Sequence, residues 1–155
     1  MLDDDKKKYK FETLCVHAGH DVLKTNTITP PLYQTVAYPF ESADYAAKLF
    51  RYEIEGFMYG RMDNPTNAMF EERLAALETT DKALATSSGM SAIFIACLHL
   101  MEKGDSFVTA SKIYGGSNKL FTETLPKMGF DPKFASNSEN LENWIELIGS
   151  KTKFL

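Results

Sequence analysis

The spacing of hydrophobic residues changes along the chain. Up to about residue 40 neither a helical nor an alternating period is sustained, and prolines stand at positions 30, 31 and 39. We therefore predict an extended arm without a helix of its own. From Ser42, a favoured N-cap residue, apolar side chains then follow at helical spacing, at Tyr45, Ala46, Leu49 and Phe50. This pattern predicts an amphipathic helix that Gly56 ends.

A second helix is predicted to begin between Pro65 and Asn67, because proline is tolerated in the first turn of a helix. We expect its buried face to consist of Phe70, Leu74 and Leu77. The loop FMYGRMDNPT, residues 57–66, joins the two helices.

After Asp81 short apolar runs alternate with helical segments. The runs predict strands at 83–86, 106–110 and 133–135, with helices at 91–102, at about 118–128 and at 141–148. Residues 153–155 look like the start of a further strand. The alternation predicts an α/β fold with a mostly parallel sheet and helices on both faces. Because a chain that stops inside a strand leaves a sheet edge unpaired, we expect a fragment of a longer protein.

The composition excludes several classes of protein. With 17 Lys+Arg against 21 Asp+Glu, the net charge is −4, which argues against a nucleic-acid binder. No apolar run reaches the length of a membrane helix, and the N-terminus lacks the apolar core of a signal peptide. We expect a cytoplasmic protein in which Cys15 and Cys97 are reduced and structural, Cys97 in a helix core. His17 and His20 predict no metal site, because Gly19 argues against a shared helix.

Three clusters of residues can carry chemistry. Ser88, Gly89 and Met90 lie in a turn between a predicted strand and helix, where free N–H groups and the helix dipole favour a phosphate. Arg61, beside Tyr59, offers a planar fork for phosphate oxygens. Tyr114, followed by two glycines, could stack on a flat ring. Taken singly, each cluster is also explained by a plain turn or a surface arginine.

Other glycine motifs do not fit the residues around Gly89. The second glycine of a hydrolase nucleophile elbow is lacking, the sequence contains no GxGxxG, and no lysine follows paired glycines as in a Walker loop. A compact phosphate on a small cofactor or substrate remains the favoured ligand.

Together the clusters resemble the cysteine and methionine metabolism family of pyridoxal-phosphate (PLP) enzymes. The resemblance covers nearly the whole chain and is most specific in YGRMDNPT (59–66), ATSSGMSAI (85–93) and YGGS (114–117). It implies a fold-type I (aspartate aminotransferase-like) PLP-dependent transferase. Residues 1–62 would be an arm contacting a neighbouring subunit, and residues 63–155 the first part of the large PLP-binding domain.

The resemblance also implies roles for single residues. The backbone N–H groups of Gly89 and Met90, beside Ser88, would hold the PLP phosphate. Tyr59 and Arg61 would reach the same phosphate in the neighbouring subunit, so that a homotetramer shares its active sites between subunits. Tyr114 would stack on the pyridine ring and act as an acid or base near the substrate.

Other family residues lie outside the sequence. The Schiff-base lysine, the aspartate that pairs with the pyridine nitrogen and the arginine for the substrate carboxylate all belong to a region beyond Leu155. From the resemblance we therefore expect an incomplete N-terminal portion that is inactive by itself.

Within the family, the stretch from Phe40 to Arg61 resembles the sulfhydrylases that use O-acetylhomoserine. Gly116 stands where methionine γ-lyases carry cysteine, but Met90 stands where many of these sulfhydrylases have glutamine. The implied reaction is γ-replacement in methionine biosynthesis, giving L-homocysteine from O-acetyl-L-homoserine and sulfide. The alternatives are a cystathionine γ-synthase, a methionine γ-lyase, an O-succinylhomoserine sulfhydrylase, or a non-catalytic chain that binds a partner.

Overall fold

The computed structural model describes residues 9–155 and divides into two compact units, one ending at Ala85 and one beginning at Thr86. The N-terminal unit contains four helices in its described part: α1 (Phe11–His17), α2 (Val22–Thr25), α3 (Ala43–Phe50) and α4 (Pro65–Leu77). None of the helices in residues 9–155 is both long and apolar enough to cross a membrane. We predict that residues 1–62 form an arm that packs on another subunit, and this packing stays a prediction.

The prediction that the first 40 residues contain no helix is wrong, because α1 and α2 lie there. Helix α1 has only two turns, too short for a sustained period in the sequence, and its stability comes from packing on α4. Arg73 of α4 donates from Nε to the carbonyl of Ala18 at 2.8 Å. Gly19 has a φ of +73°, and an added Cβ would overlap the carbonyl of Met69.

Helices α3 and α4 begin where their capping residues predict. The Ser42 hydroxyl accepts the N–H of Tyr45, and Pro65 is the first residue of α4. The predicted end of α3 is wrong, because the helix stops at Phe50 while Gly56 lies against the Leu49 side chain.

The predicted buried face of α4 is also wrong in part. Phe70 and Leu74 are exposed, whereas the small residues Ala75 and Ala76 are buried. The segment at 83–86 forms no strand in the described structure. The N–H of Ala85 is donated to the Glu71 carboxylate at 2.6 Å instead of to a neighbouring strand.

The C-terminal unit contains two parallel strands, β1 (Ser106–Ala110) and β2 (Asp131–Ala135), paired from Ser106↔Asp131 to Ala110↔Ala135. On the other side of β1, Lys153 donates its N–H to the carbonyl of Ser106 at 2.9 Å. Ser106 and Thr152 form a parallel bridge there, so residues near the C-terminus extend the sheet as predicted. The α/β fold with a parallel sheet is confirmed, and β1 has the predicted bounds.

The helices of this unit differ from the predicted ones at their ends. They are α5 (Gly89–Leu100), α6 (Gly115–Lys119), α7 (Leu125–Lys127) and α8 (Leu141–Ile145), and a π-helical turn (Leu120–Thr124) joins α6 to α7. In this turn the N–H of Leu125 bonds the carbonyl of Leu120, five residues earlier. Pro126 follows at once. Since a proline lacks an N–H and crowds the carbonyl four residues before it, the wider turn accommodates it.

The core of the unit forms between α5, β1 and the helix that follows β1. Phe107 packs edge-on against Phe121, with ring centroids 4.8 Å apart, and stacks on Phe154 at 4.9 Å. Cys97 is buried in this core as predicted, and its burial raises the pKa of the thiol. Cys15 is exposed, so its predicted structural role is wrong, while the cytoplasmic location stays a prediction.

Candidate active site

The turn at residues 86–90 leads into helix α5 and contains the first N–H groups of that helix. Ser88 is the N-cap, and its Oγ accepts the N–H of Ser91 at 3.1 Å while its carbonyl accepts that of Ala92. The helix provides no internal acceptor for the N–H groups of Gly89 and Met90. The helix dipole adds positive potential at these groups. Three predicted site residues thus lie together, with two donors suited to an anion.

Gly89 leaves room for such an anion. A Cβ built on it meets no atom within 4 Å, so the backbone is open to close approach by a ligand. The turn itself carries no cationic side chain, because residues 86–90 are Thr, Ser, Ser, Gly and Met. A doubly charged phosphate monoester therefore fits the space and the donors, and needs a cation from elsewhere.

Tyr114 and Met90 approach the same glycine. A Cβ built on Gly116 would come 2.6 Å from Cε1 of Tyr114 and 3.4 Å from Sδ of Met90. The Ser117 hydroxyl, which is buried, donates toward Met90 Sδ at 3.7 Å. Tyr114 is 75% exposed and is the N-cap residue of α6, but its side chain makes no capping hydrogen bond. Its exposed ring thus lies near Met90 in the first turn of α5.

Tyr59 and Arg61 lie together in the N-terminal unit. Tyr59 forms an antiparallel bridge with Ala37, and the guanidinium carbon of Arg61 stands 5.2 Å from the centre of the Tyr59 ring. The ion pairs of residues 9–155 join Lys24 to Asp21, Arg51 to Glu53 and Lys153 to Asp105. Arg61 is in none of them, and its exposed guanidinium is available to an anion.

The six predicted site residues fall into two groups, one in each unit. Ser88, Gly89, Met90 and Tyr114 belong to the C-terminal unit, and Tyr59 and Arg61 to the N-terminal unit. That both groups serve one PLP across a subunit boundary, with Tyr114 on its ring and the other residues at its phosphate, remains a prediction.

Sequence reasoning missed how the loop that carries Arg61 is held. The Thr66 hydroxyl accepts the N–H of Tyr33 at 2.9 Å, and Asn64 Nδ2 donates to the carbonyl of Tyr33 at 2.9 Å. A cavity of about 250 Å³ opens beside these groups. The Asn-Pro-Thr sequence signals a helix start, but nothing in it indicates a hydrogen-bonding partner more than thirty residues away.

Comparison with known proteins identifies the family of this chain. The sequence model of one family, described as Cys/Met metabolism PLP-dependent enzyme, matches residues 12–155. A homocysteine synthase of Schizosaccharomyces pombe is 43% identical over 83% of this chain and 30% of its own length. O-acetyl-L-homoserine sulfhydrylase 1 of Thermus thermophilus is 40% identical over 93% of this chain and 34% of its own length.

A solved structure matches the fold. The Campylobacter jejuni protein described as an O-acetylhomoserine (thiol)-lyase, determined with a pyridoxyl-lysine monophosphate, superposes with a TM-score of 0.82. It is 33% identical to this chain, and the match covers 93% of this chain and 35% of the other. The fold is therefore that of fold-type I PLP-dependent enzymes, and the chain spans about a third of the length of the proteins it matches.

Proposed function

The chain belongs to the Cys/Met metabolism family of PLP-dependent enzymes, and we propose that its gene product makes L-homocysteine and acetate from O-acetyl-L-homoserine and sulfide. The observation that carries this choice is the agreement among the relatives. Those at 40–43% identity are named homocysteine synthase and O-acetyl-L-homoserine sulfhydrylase. The pathway we infer is methionine biosynthesis.

The cofactor of the family is PLP, which supplies an electron sink for charge that develops on the substrate carbon atoms. Gly89 and Met90 would hold its phosphate through their backbone N–H groups, and Ser88 keeps the helix start fixed by capping it. The open space over Gly89 supports this role. These groups act without moving, because helix α5 holds their geometry before the cofactor binds.

From the neighbouring subunit of a homotetramer built from dimers, Arg61 would neutralise charge on the phosphate and Tyr59 would donate a hydrogen bond to it. The guanidinium of Arg61, which lies over the Tyr59 ring and forms no ion pair with any residue of 9–155, supports this role. The arm supports the oligomer, since it leaves large apolar side chains in water, with Leu23 at 92% and Ile28 at 86% exposure. Such exposure on one segment is typical of a surface that another chain covers.

Tyr114 would lie against the cofactor ring and hold or move a proton at the substrate side chain through its phenol oxygen. Its exposed ring, placed beside the α5 N-terminus by Gly116, supports this role. A tyrosine hydroxyl both donates and accepts, so it can deliver a proton to the leaving acetate or accept one from the substrate.

The test is an assay of the complete gene product that carries this chain, purified with PLP. We expect homocysteine and acetate in equal amounts from O-acetyl-L-homoserine and sulfide. O-succinylhomoserine, cystathionine and methionine serve as competing substrates in parallel. Faster turnover of any of them would replace the proposed activity with that of another family member. Complete inactivity of a PLP-loaded protein would favour a non-catalytic chain that binds a partner.

A further inference from the structure

The loop that carries Arg61 is anchored to one short segment, residues 31–37, at both of its ends. At the first end, Gly60 donates its N–H to the carbonyl of Val36 at 2.7 Å, beside the bridge between Tyr59 and Ala37. The approach is close, since a Cβ on Gly60 would stand 2.9 Å from the carbonyl oxygen of Thr35. Only a glycine permits this contact without a shift of the backbone.

At the second end, two side chains hold the same segment. Asn64 Nδ2 donates to the carbonyl of Tyr33 at 2.9 Å, and the Thr66 hydroxyl accepts the N–H of Tyr33 at 2.9 Å and donates to the carbonyl of Pro31 at 3.4 Å. Asn64 Oδ1 also accepts the N–H of Thr66 at 2.8 Å, which caps helix α4. Both polar atoms of the Asn64 amide and the Thr66 hydroxyl thus form hydrogen bonds. These bonds fix the geometry with which the end of the loop is held to the segment 31–37.

Between the two anchors the backbone is closed into a turn. The carbonyl of Tyr59 accepts the N–H groups of Met62 and Asp63, at 2.9 and 3.1 Å. Arg61 therefore sits on a short loop fixed at its start, its middle and its end, while its long side chain remains exposed. Fixing the backbone before binding lowers the conformational entropy lost when the guanidinium meets an anion.

We propose that Asn64 and Thr66 are positioning residues that act through the backbone of Tyr33 to hold Arg61 ready for the cofactor phosphate. This inference rests on the proposed function, because it takes the phosphate of PLP as the anion that Arg61 meets. Asn64 and Thr66 would then raise the affinity for PLP without contacting PLP themselves. Their effect must therefore depend on the phosphate and on the presence of Arg61.

The test compares PLP with pyridoxal, which lacks the phosphate, by equilibrium dialysis against the apoprotein of the complete gene product. Thr66→Val keeps the shape of the side chain but removes the acceptor for Tyr33. We expect it to weaken PLP binding about three- to tenfold, the loss typical of one or two neutral hydrogen bonds, and to leave pyridoxal binding unchanged. Thr66→Ser, which keeps the hydroxyl, should restore the affinity for PLP.

The matched control is Thr122→Val, because Thr122 makes a similar bond to the carbonyl of Asn118 in the other unit, at 2.9 Å. It should leave both affinities as in the wild type. In the background of Arg61→Ala, Thr66→Val should add no further loss, since the group it positions is gone. If Thr66→Val fails to fold, Gly60→Ala disturbs the other anchor and should give the same selective loss.

Three results would overturn the inference, and they distinguish a failure of the positioning role from a failure of the phosphate assignment. If Arg61→Ala weakens PLP but Thr66→Val does not, or if Thr66→Val weakens PLP and pyridoxal equally, the positioning role is wrong while the phosphate site stands. If Arg61→Ala itself leaves the ratio of the two affinities unchanged, the phosphate assignment of the proposed function is wrong, and the positioning role with it.

Discussion

Gly116 lies directly against the edge of the Tyr114 ring, so that a methyl group on its Cα would come within 2.6 Å of Tyr114 Cε1. The contact leaves no space for a side chain at position 116 while the ring keeps its place. The neighbouring Gly115 differs, since a Cβ there meets nothing within 4 Å. Substituting alanine at each glycine in turn therefore distinguishes a clash with the Tyr114 ring from the general effect of adding a methyl group.

The first prediction follows from this contact. Gly116→Ala must displace the Tyr114 ring, and a shift of about 1 Å in a positioning group lowers catalysis by up to about a hundredfold. We expect a fall in kcat/KM for O-acetylhomoserine of about ten- to a hundredfold. Gly115→Ala, the control, should remain near the wild-type value. Equal effects of the two substitutions would show that the ring position is unimportant.

Tyr114→Phe separates the hydroxyl from the ring. Phenylalanine keeps the stacking surface, so PLP affinity should be close to that of the wild type. The turnover should fall by about a hundredfold, at the lower end of the usual range for general acid–base groups, because the cofactor supplies the hardest chemistry. The measurements are kcat and the Kd for PLP. A wild-type turnover number would leave Tyr114 as a stacking platform only.

Subunit mixing tests whether the two site groups act across a boundary. At a PLP concentration that saturates the wild type but not Arg61→Ala, oligomers of Arg61→Ala subunits and oligomers of Tyr114→Ala subunits should each show little activity. In a hybrid dimer, one of the two sites combines the intact Tyr114 of the Arg61→Ala subunit with the intact Arg61 of the Tyr114→Ala subunit. The other site lacks both side chains. Unfolding and refolding an equal mixture should therefore restore about a quarter of the wild-type activity. No recovery, with hybrids shown to be present by native mass spectrometry, would place both residues in the site of one subunit.

The stability of the C-terminal unit should depend on pH through Asp105. Its pKa is lowered from the ordinary value of 3.8, chiefly because the N–H of Glu102 is donated to its carboxylate, with further help from the charges of Lys153 and Lys151. A lowered pKa in the fold means that the carboxylate stabilises the protein above its unfolded pKa, and that this stabilisation is lost as the pH falls through the folded value.

Urea unfolding at pH 7 and pH 3 measures this effect. We expect Asp105→Asn to be less stable than the wild type at pH 7, and the difference to shrink at pH 3. Glu53→Gln, which breaks the exposed ion pair with Arg51, should show little difference at either pH. A gap for Asp105→Asn that is the same at both pH values would assign its effect to the geometry of the amide, not to charge.

Local signals in the sequence predicted those elements whose stability is local. Ser42 as a cap and Pro65 in a first turn mark the starts of α3 and α4, and the apolar run at 106–110 matches β1. The predictions failed where distant residues decide the structure. Helix α1 depends on α4, and the 83–86 segment has a glutamate as its partner where a strand was expected.

In the candidate site, too, the sequence predicted the local features and missed those that depend on distant residues. The free N–H groups at Gly89 and Met90, which we propose as phosphate donors, follow from a glycine in a turn before a predicted helix, and such local geometry is readable from sequence. Two other features depend on interatomic distances in the folded chain. They are the contact of Gly116 with the Tyr114 ring and the hydrogen bonds of Asn64 and Thr66 to Tyr33. Residue spacing does not encode these distances, so only the folded chain reveals them.

The most direct measurement is the affinity of the complete gene product for PLP in the wild type, Arg61→Ala and Arg51→Ala. Arg51 is the matched control, because it is an exposed arginine of the same unit that already pairs with Glu53 at 2.7 Å. If Arg61 binds the phosphate, its loss removes charge-assisted hydrogen bonds and weakens PLP about ten- to a hundredfold, Arg61→Lys recovers part of this, and Arg51→Ala changes nothing. Equal affinities for the wild type and Arg61→Ala would contradict the phosphate site described for this chain.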